Sequence, residues 1–312
     1  MRSVPRTDVH QHIWPEPFVA ALARRTAPPR LRPDAHGALH LELAGEPPSL
    51  FSRADHAAGA RLRATAQDGI DRVFVAPSLP LGIEALRAEE ARPLIDAWLD
   101  GVLELGAPFA PWGSVPLDGA VPRDVDALLD RGCVGLALSA ATVAAPAWLD
   151  RAGVLLEALA RRDAPLFVHP GPVPAGRAPA GWWPALTGYV ADLHAARLAW
   201  AAWGRRAHPR LRVAFAALAG GAPLHAERVA ARGGPAGLAD DPLAFSDTSS
   251  YGPLAIDAVG RVVGIDQLVL GSDRPMVDGC AAHDLGDAGD AALTQTNVAR
   301  LLGERAGLAV AA

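Results

Sequence analysis

The stretch TDVHQHIWP, residues 7–15, places an aspartate and two histidines at alternate positions of a short β-rich segment. In a β-strand, residues two apart point to the same face, so Asp8, His10 and His12 would share one side of the sheet. Two imidazoles on one face can chelate a divalent ion, although this spacing alone is a weak signal. The rest of the chain must therefore show whether other ligands reach the end of the same strand.

Similar β-rich runs, bounded by glycine, proline or charged residues, recur along the chain. Together with the first, the predicted strands are residues 7–13, 71–78, 108–116, 132–139, 165–170, 211–218, 243–249 and 267–273. Segments with helical apolar spacing separate them, most clearly residues 84–105, 147–163 and 189–206. This alternation predicts a parallel sheet, and eight repeats favour a closed (β/α)8 TIM barrel over an open sheet.

Two stretches interrupt the alternation. Residues 26–55, approximately, are rich in proline and contain the alternating run ALHLELAG, which predicts a small hairpin inserted after the first strand. PGPVPAGRAPAGWWP, residues 170–184, is a long loop after the fifth strand. Both follow the C-terminal ends of strands, where barrel enzymes place their active sites. We expect one domain over residues 1–312, with the hairpin as an insertion.

The composition limits the classes of function. Half of the 312 residues are hydrophobic and the net charge is −5, so the sequence indicates a large core and no nucleic-acid footprint. Two distant cysteines and the lack of a long apolar run predict a soluble cytoplasmic protein with no membrane partner. The chain contains no lysine, which excludes Schiff-base catalysis and a lysine carbamate bridging two metals.

Two later strands end in residues that suit a metal site. The fifth, PLFVHPGP, ends in His169, and the eighth, DQLVLGSDRP, ends in Asp273. Because strand ends converge at one face of a barrel, these residues can meet His10 and His12. Three imidazoles and one carboxylate suit a single divalent ion, zinc first, with manganese or iron as alternatives. Such an ion would polarise a substrate or activate a water molecule.

These motifs resemble those of the amidohydrolase superfamily, in particular the branch typified by aminocarboxymuconate-semialdehyde decarboxylase. DVHQHIWP resembles the DxHxH signature of the first strand, and LFVHPGP resembles the histidine motif of the fifth. FSDTSSYGP resembles the seventh strand and its loop, and LVLGSDRP resembles the GSDxP signature.

The resemblance covers almost the whole chain and implies a TIM barrel with one metal ion held by His10, His12, His169 and Asp273. It implies an enzyme that decarboxylates or hydrolyses a small carboxylated or cyclic substrate. Dimers are usual among such proteins, which makes a homodimer a candidate assembly.

The chain departs from the family pattern at the sixth strand, in RVAFAALAGGAP. Ala217 stands where family members usually carry a histidine that transfers protons. Asp273 would then have to act both as metal ligand and as proton-transfer group. His225, eight residues further on, is a second candidate for that role, although a surface position at a helix start is the more common one. The alternative function is a catalytically degenerate barrel that binds a metal or small molecule without turnover.

Other residues near the strand ends have two interpretations each. Asp8 could orient a histidine from behind or cap the bottom of the barrel. Trp182 and Trp183 could line a substrate pocket or pack the long loop. Tyr251 could bind substrate or stabilise a turn. Arg274 could hold a substrate carboxylate or pair with Asp278. We expect Cys280 to be inert, and His194, His208 and His283 to be helix or loop residues.

Overall fold

Parallel strands, one from each predicted run, form the centre of the protein. The computed structural model describes residues 4–44, 46–173, 182–277 and 285–306. Within them the strands are β1 (Thr7–Gln11), β2 (Arg30–Pro33), β3 (Leu39–Glu42), β4 (Ser49–Leu50), β5 (Arg72–Val75), β6 (Phe109–Pro111), β7 (Leu136–Ser139), β8 (Leu166–His169), β9 (Val213–Phe215), β10 (Ala244–Asp247) and β11 (Leu268–Val269).

Eight of these strands close into a barrel. β1, β5 and β6 pair in parallel, and β7 to β11 pair in parallel in chain order. A parallel bridge between Gly113 and Leu136 joins the two groups on one side. On the other side, the backbone N–H of Val9 donates to the carbonyl of Leu270 over 2.8 Å. The predicted (β/α)8 barrel is confirmed, and each barrel strand lies inside its predicted run.

Helices cover the outside of the barrel. They are α1 (Glu16–Arg24), α2 (Ala58–Gln67), α3 (Ala88–Leu105), α4 (Pro122–Asp130), α5 (Ala140–Val143), α6 (Pro146–Arg161), α7 (Trp183–Leu186), α8 (Gly188–Ala199), α9 (Arg205–Ala207), α10 (Ala226–Ala230), α11 (Pro253–Val263), α12 (Gly286–Ala291) and α13 (Asn297–Leu302). The three clearest predicted helices correspond to α3, α6 and α8. Among the described residues, no helix combines the length and the apolar character needed to cross a membrane.

The barrel interior below the strand ends is filled by aromatic side chains. Phe167 stacks on Trp112 with 5.1 Å between ring centroids, and the Trp112 Nε1–H donates to the carbonyl of Val9 over 2.9 Å. The ring of His10 lies with its edge towards Phe167, at 5.0 Å. These contacts fix the height and orientation of His10 above an apolar floor.

The insertion after β1 forms a sheet of its own. β2 and β3 pair antiparallel, with Leu31 opposite Leu41, as the predicted hairpin requires. The short strand β4 adds to the other edge of β3, with His40 opposite Leu50, so the sheet has three strands rather than two. We propose that residues 1–312 form one domain that carries this sheet as an insertion.

Candidate metal centre

Four side chains meet at the C-terminal end of the barrel. They are His10, His12, His169 and Asp273, and their potential ligand atoms all lie within 4.8 Å of one another. The Nε2 atom of His12 is 3.2 Å from the Nε2 atoms of both His10 and His169. Asp273 Oδ1 lies 3.2 Å from His12 Nε2. The structure therefore brings together all four residues that the sequence proposed as ligands.

Hydrogen bonds hold the imidazole rings with their Nε2 atoms inward. The Nδ1–H of His12 donates to the carbonyl of Ala76 over 2.9 Å, and that of His169 donates to the carbonyl of Pro170 over 2.7 Å. Because a carbonyl only accepts, Nδ1 must carry a hydrogen in both rings. In the neutral rings Nε2 then presents a lone pair to the centre of the cluster, which is the tautomer that metal ligation needs.

The distances between these nitrogens fit a shared ion. Nitrogens that bind one ion at about 2.1 Å lie roughly 3.0–3.4 Å apart, depending on the coordination angle. The Nε2 atoms of His10 and His169 each lie 3.2 Å from the Nε2 atom of His12. The lone pairs of His12 and His169, held this close, repel each other unless a positive charge lies beside them. The residues present therefore fit one divalent cation.

The surrounding charges also favour a cation at this point. Burial lowers the pKa of His10, but the carboxylates of Asp247 and Asp273 outweigh burial and raise it to about 9. Burial lowers the pKa of His169 well below its ordinary value, and the charges of His10 and His12 lower it further. The carboxylates thus stabilise a positive charge on His10, which a bound cation would supply in place of the proton, while His169 stays neutral, as a ligand must.

Asp247, at the end of β10, is a functional residue that the sequence interpretation missed. It is fully buried, and its Oδ2 accepts the Nδ1–H of His10 over 2.7 Å. Its Oδ1 accepts the backbone N–H of Ala217 over 2.8 Å and the hydroxyl of Ser249 over 2.5 Å. A Cβ added to Gly271 would lie 2.8 Å from its Cγ, so a glycine is needed there. An aspartate ending a buried strand in FSDTSS was the available signal.

Asp8 has a different role from the one expected. Its Oδ1 accepts the backbone N–H of His10 over 3.0 Å and that of Ser272 over 3.1 Å. Its Oδ2 accepts the side-chain amide of Gln11 over 2.7 Å. Asp8 therefore ties β1 to the segment after β11, whereas Asp247 orients the histidine ring from behind.

Asp273 leaves the barrel in a left-handed backbone conformation, with φ of 57°. Its N–H donates to the carbonyl of His10 over 2.8 Å, which places the residue beside β1. The hydroxyl of Ser250 donates to its Oδ2 over 3.3 Å. Oδ1 thus faces the histidines, and Oδ2 is left on the Ser250 side.

The sixth barrel strand contributes backbone rather than a side chain. Residues 217–221 all have positive φ, from 48° at Ala217 to 71° at Gly221. This left-handed turn directs the N–H of Ala217 to Asp247, and the side chain at this position is a methyl group where the resemblance implied a histidine. Ala217 therefore supports the ligand shell without transferring a proton.

The structure does not bring His225 to the four ligands. Its side chain is exposed and packs edge-on against His194, with 4.9 Å between ring centroids. Both rings line a surface pocket that contains none of the four ligands. The proposed catalytic role of His225 has no support from this geometry.

The proposed substrate-binding residues lie in three different surroundings. Trp182 and Trp183 are 59% and 41% exposed and pack against each other at 5.6 Å. Tyr251 is half-buried against the core, and burial raises its pKa. Arg274 pairs with Asp68 over 2.8 Å, so its charge is already neutralised.

Some sequence predictions fall on parts of the chain that the structure does not describe. The proposed ion-pair partner Asp278, the cysteine Cys280 and His283 lie outside the described residues, as does most of the loop before Trp182.

Tyr189 is a second residue that the sequence interpretation missed. It lies at the start of α8, between Gly188, which packs against Val173, and Val190, whose carbonyl packs against Gly220. Burial, together with the carboxylates of Glu46 and Asp273, raises the pKa of Tyr189 to about 12. The backbone on either side of Tyr189 therefore packs against the loops that follow β8 and β9, and the phenol is near enough to the Asp273 carboxylate to feel its charge.

Comparison with known proteins places the chain in a family. The amidohydrolase family model matches residues 7–306. The chain belongs to this family. The resemblance stated from the DxHxH and GSDxP motifs is therefore confirmed, while no curated protein matches the sequence.

Solved structures share the fold at low sequence identity. IDCase of Metarhizium anisopliae, in its apo form, is 18% identical with a TM-score of 0.77, covering 96% of this chain and 97% of that one. The 5-carboxyvanillate decarboxylase of Sphingomonas paucimobilis is 17% identical with a TM-score of 0.70, covering 96% and 99%. That of Novosphingobium aromaticivorans, with bound manganese and 3-methoxy-4-hydroxy-5-nitrobenzoic acid, is 17% identical with a TM-score of 0.74, covering 96% and 97%.

Proposed function

We propose that this protein is a mononuclear metal-dependent enzyme that removes a carboxylate from a small carboxylated aromatic or cyclic substrate. The observation that carries the proposal is the convergence of three imidazole Nε2 atoms and one carboxylate at the end of a barrel. The structural likeness to decarboxylases supports decarboxylation over hydrolysis. The loss of a proton-transferring histidine at Ala217 would also impair hydrolysis more.

The ion would be held by His10, His12, His169 and Asp273. Zinc suits this donor set, and manganese and iron also accept imidazole and carboxylate ligands. The structurally similar decarboxylase of Novosphingobium aromaticivorans contains manganese, so manganese should be tested as well as zinc. When bound, the ion would supply Lewis-acid polarisation of the substrate oxygens.

The side chains around the ligands suggest how a proton would be handled. Decarboxylation breaks a ring carbon–carboxylate bond, releases CO2 and places a proton on the ring carbon. Burial raises the pKa of Asp273, but His10, His12 and His169 outweigh burial and hold it well below the ordinary value, so the resting carboxylate carries no proton. Asp273 Oδ2, which lies away from the histidines, would first take up a proton from solvent and then pass it to the ring carbon. The Tyr189 phenol stays protonated because its pKa is raised, so it can donate a hydrogen bond to a bound carboxylate. A homodimer and a cytoplasmic location stay predictions.

The proposal is tested by metal content and by turnover. We expect the purified protein to hold about one divalent ion per chain, as a single four-ligand site allows. His169→Ala should lose that ion during dialysis, because it removes one of the four proposed ligands. His36→Ala, a substitution in the insertion, should keep the ion. Both are measured by elemental analysis after dialysis against metal-free buffer.

Turnover is measured as CO2 release from 5-carboxyvanillate and 2,6-dihydroxybenzoate with manganese or zinc. Release should be present in the parent and in His36→Ala, and absent in His169→Ala. Full metal occupancy in His169→Ala would show that His169 is not a ligand. A loaded parent protein that releases no CO2 from either acid would contradict the proposed reaction.

A further inference from the structure

A basic pocket lies on the outside of the barrel, where α8 meets the segment around α10. Its volume is about 330 Å3, within the range of small-molecule sites. Its lining consists of His194, Leu198, His225, Arg228, Val229, Arg232 and Gly234. The four proposed metal ligands do not contribute to it, so it is separate from the candidate metal centre.

The arginines of this pocket carry unneutralised charge. Arg228 and Arg232 are four residues apart, and both are exposed. Among the described residues, neither guanidinium forms an ion pair, in contrast to Arg205, which pairs with Asp241. Both line the same pocket, Arg228 from α10 and Arg232 from the turn after it, so their like charges repel each other and a bound anion would reduce that repulsion.

Two histidines and two apolar side chains complete the pocket. His194 and His225 contact each other edge-on, and burial followed by the charge of His225 lowers the pKa of His194. The His194 ring also hydrogen-bonds the backbone of Gly220, which uses the one N–H of a neutral imidazole and ties the ring to the segment after β9. Leu198 and Val229 add an apolar wall beside these polar groups.

We propose that the basic pocket binds a phosphate group carried by a small organic molecule. Planar guanidinium groups bind phosphate oxygens in pairs, which a phosphate between Arg228 and Arg232 would permit. The organic part would lie against Leu198 and Val229. This site takes a ligand that the proposed decarboxylation does not use, and it does not depend on that reaction.

The pocket is connected to the metal centre through the left-handed turn at Ala217. The segment 217–225 begins at the N–H that Asp247 accepts and ends at His225 in the pocket. Gly220 fits against α8 in between, since an added Cβ would lie 2.4 Å from the carbonyl oxygen of Val190. A ligand bound to His225, which packs against His194, would hold this segment more firmly against α8.

The test is calorimetric titration of the full chain with inorganic phosphate and with phenyl phosphate, at constant ionic strength set by chloride. We expect both to bind, phenyl phosphate more tightly, because only it reaches the apolar wall. The double variant Arg228→Gln with Arg232→Gln should bind phenyl phosphate at least about tenfold more weakly, the loss of one or two charged hydrogen bonds. Arg63→Gln, an exposed arginine on α2, is the charge-matched control and should bind as the parent does.

Each other outcome overturns the proposal or part of it. Unchanged affinity in the double variant would place the phosphate elsewhere, for example at the metal centre. Equal affinity for the two ligands, lost in the double variant, would assign the pocket to free phosphate and reject the organic ligand. An equal loss of affinity in Arg63→Gln would show nonspecific charge attraction. If neither ligand releases or absorbs heat beyond the chloride reference, the pocket does not bind phosphate.

Discussion

At the scale of single residues, Asp247 determines how His10 can bind a metal. Its carboxylate accepts the Nδ1–H of His10 and is itself fixed by Ala217 and Ser249. A fully buried carboxylate with this many donors has one orientation available. Asp247, which is not itself a proposed ligand, therefore holds the His10 ring so that its Nε2 atom faces the ion.

Asp247→Asn is expected to weaken metal binding without unfolding the protein. The amide keeps the shape, but if its oxygen faces Ala217 and Ser249, its NH2 opposes the Nδ1–H of His10. The ring must then move its hydrogen to Nε2, which removes a ligand, and loss of such a supporting partner costs about 10–100-fold in metal affinity. Competition with a chelating dye measures the affinity.

Asp241→Asn is the matched control, since Asp241 is also buried but pairs with Arg205 instead of a ligand. Metal affinity in Asp247→Asn equal to that in this control would refute the role of Asp247.

The four proposed ligands could be predicted to lie together because each belongs near the end of a predictable strand. Asp247 and Tyr189 were not identified, for different physical reasons. The role of Asp247 depends on which strand lies beside β1 across the barrel. Tyr189 comes under the influence of Asp273 because α8 packs against the turn after β9, and the spacing of residues along the chain does not predict that packing.

At the scale of elements, the left-handed turn of residues 217–221 is the least expected feature. Positive φ costs about 1–2 kcal/mol for each residue with a Cβ, and Ala217, Leu218 and Ala219 all pay it. The turn persists because Asp247 accepts the first N–H and because Gly220 lies against α8.

Gly220→Ala should destabilise the protein more than Gly221→Ala. Both glycines have positive φ, 59° and 71°, so both substitutions carry the same backbone cost. Only at Gly220 would the new Cβ meet an atom, 2.4 Å from the oxygen of Val190, while Gly221 has open space. We expect a difference of about 1–3 kcal/mol in the free energy of unfolding, measured in urea. Equal costs would mean that α8 does not hold the turn.

The elements themselves were largely predictable. Apolar runs bounded by glycine, proline or charge located all eight barrel strands, because buried parallel strands leave little choice of residue. β4 was missed since two residues, Ser49–Leu50, are too short to show a period. The left-handed turn could not be foreseen, because alanine and leucine do not favour it.

At the scale of the whole molecule, one buried carboxyl couples stability to pH. Glu84 is 2% exposed, its Oε2 has no partner within the described residues, and burial raises its pKa to about 7. An unfolded chain would have a lower pKa, near 4.5. Between these values the folded state binds more protons, so stability falls as pH rises from about 4.5 to about 7 and then levels off.

Glu84→Gln removes the contribution of this residue to the pH dependence of stability, because an amide does not ionise. Relative to the parent, the variant should gain unfolding free energy between pH 5 and pH 8, by an amount on the order of 3 kcal/mol at most. Urea unfolding of both proteins at the two pH values measures the difference, and taking it between two proteins cancels the other titrating groups. A difference that stays constant with pH would mean that Glu84 is already ionised in the folded protein.

The ligands come from β1, from β8 and from the residues directly after β11, so an ion would cross-link the beginning of the chain to its far end. During translation His10 and His12 are made early, and most of the chain is synthesised before Asp273. The complete ligand set exists only once the final strand has joined the first. We therefore expect metal loading to be a late step of maturation, because a chain that ends before Asp273 offers at most three of the four proposed ligands.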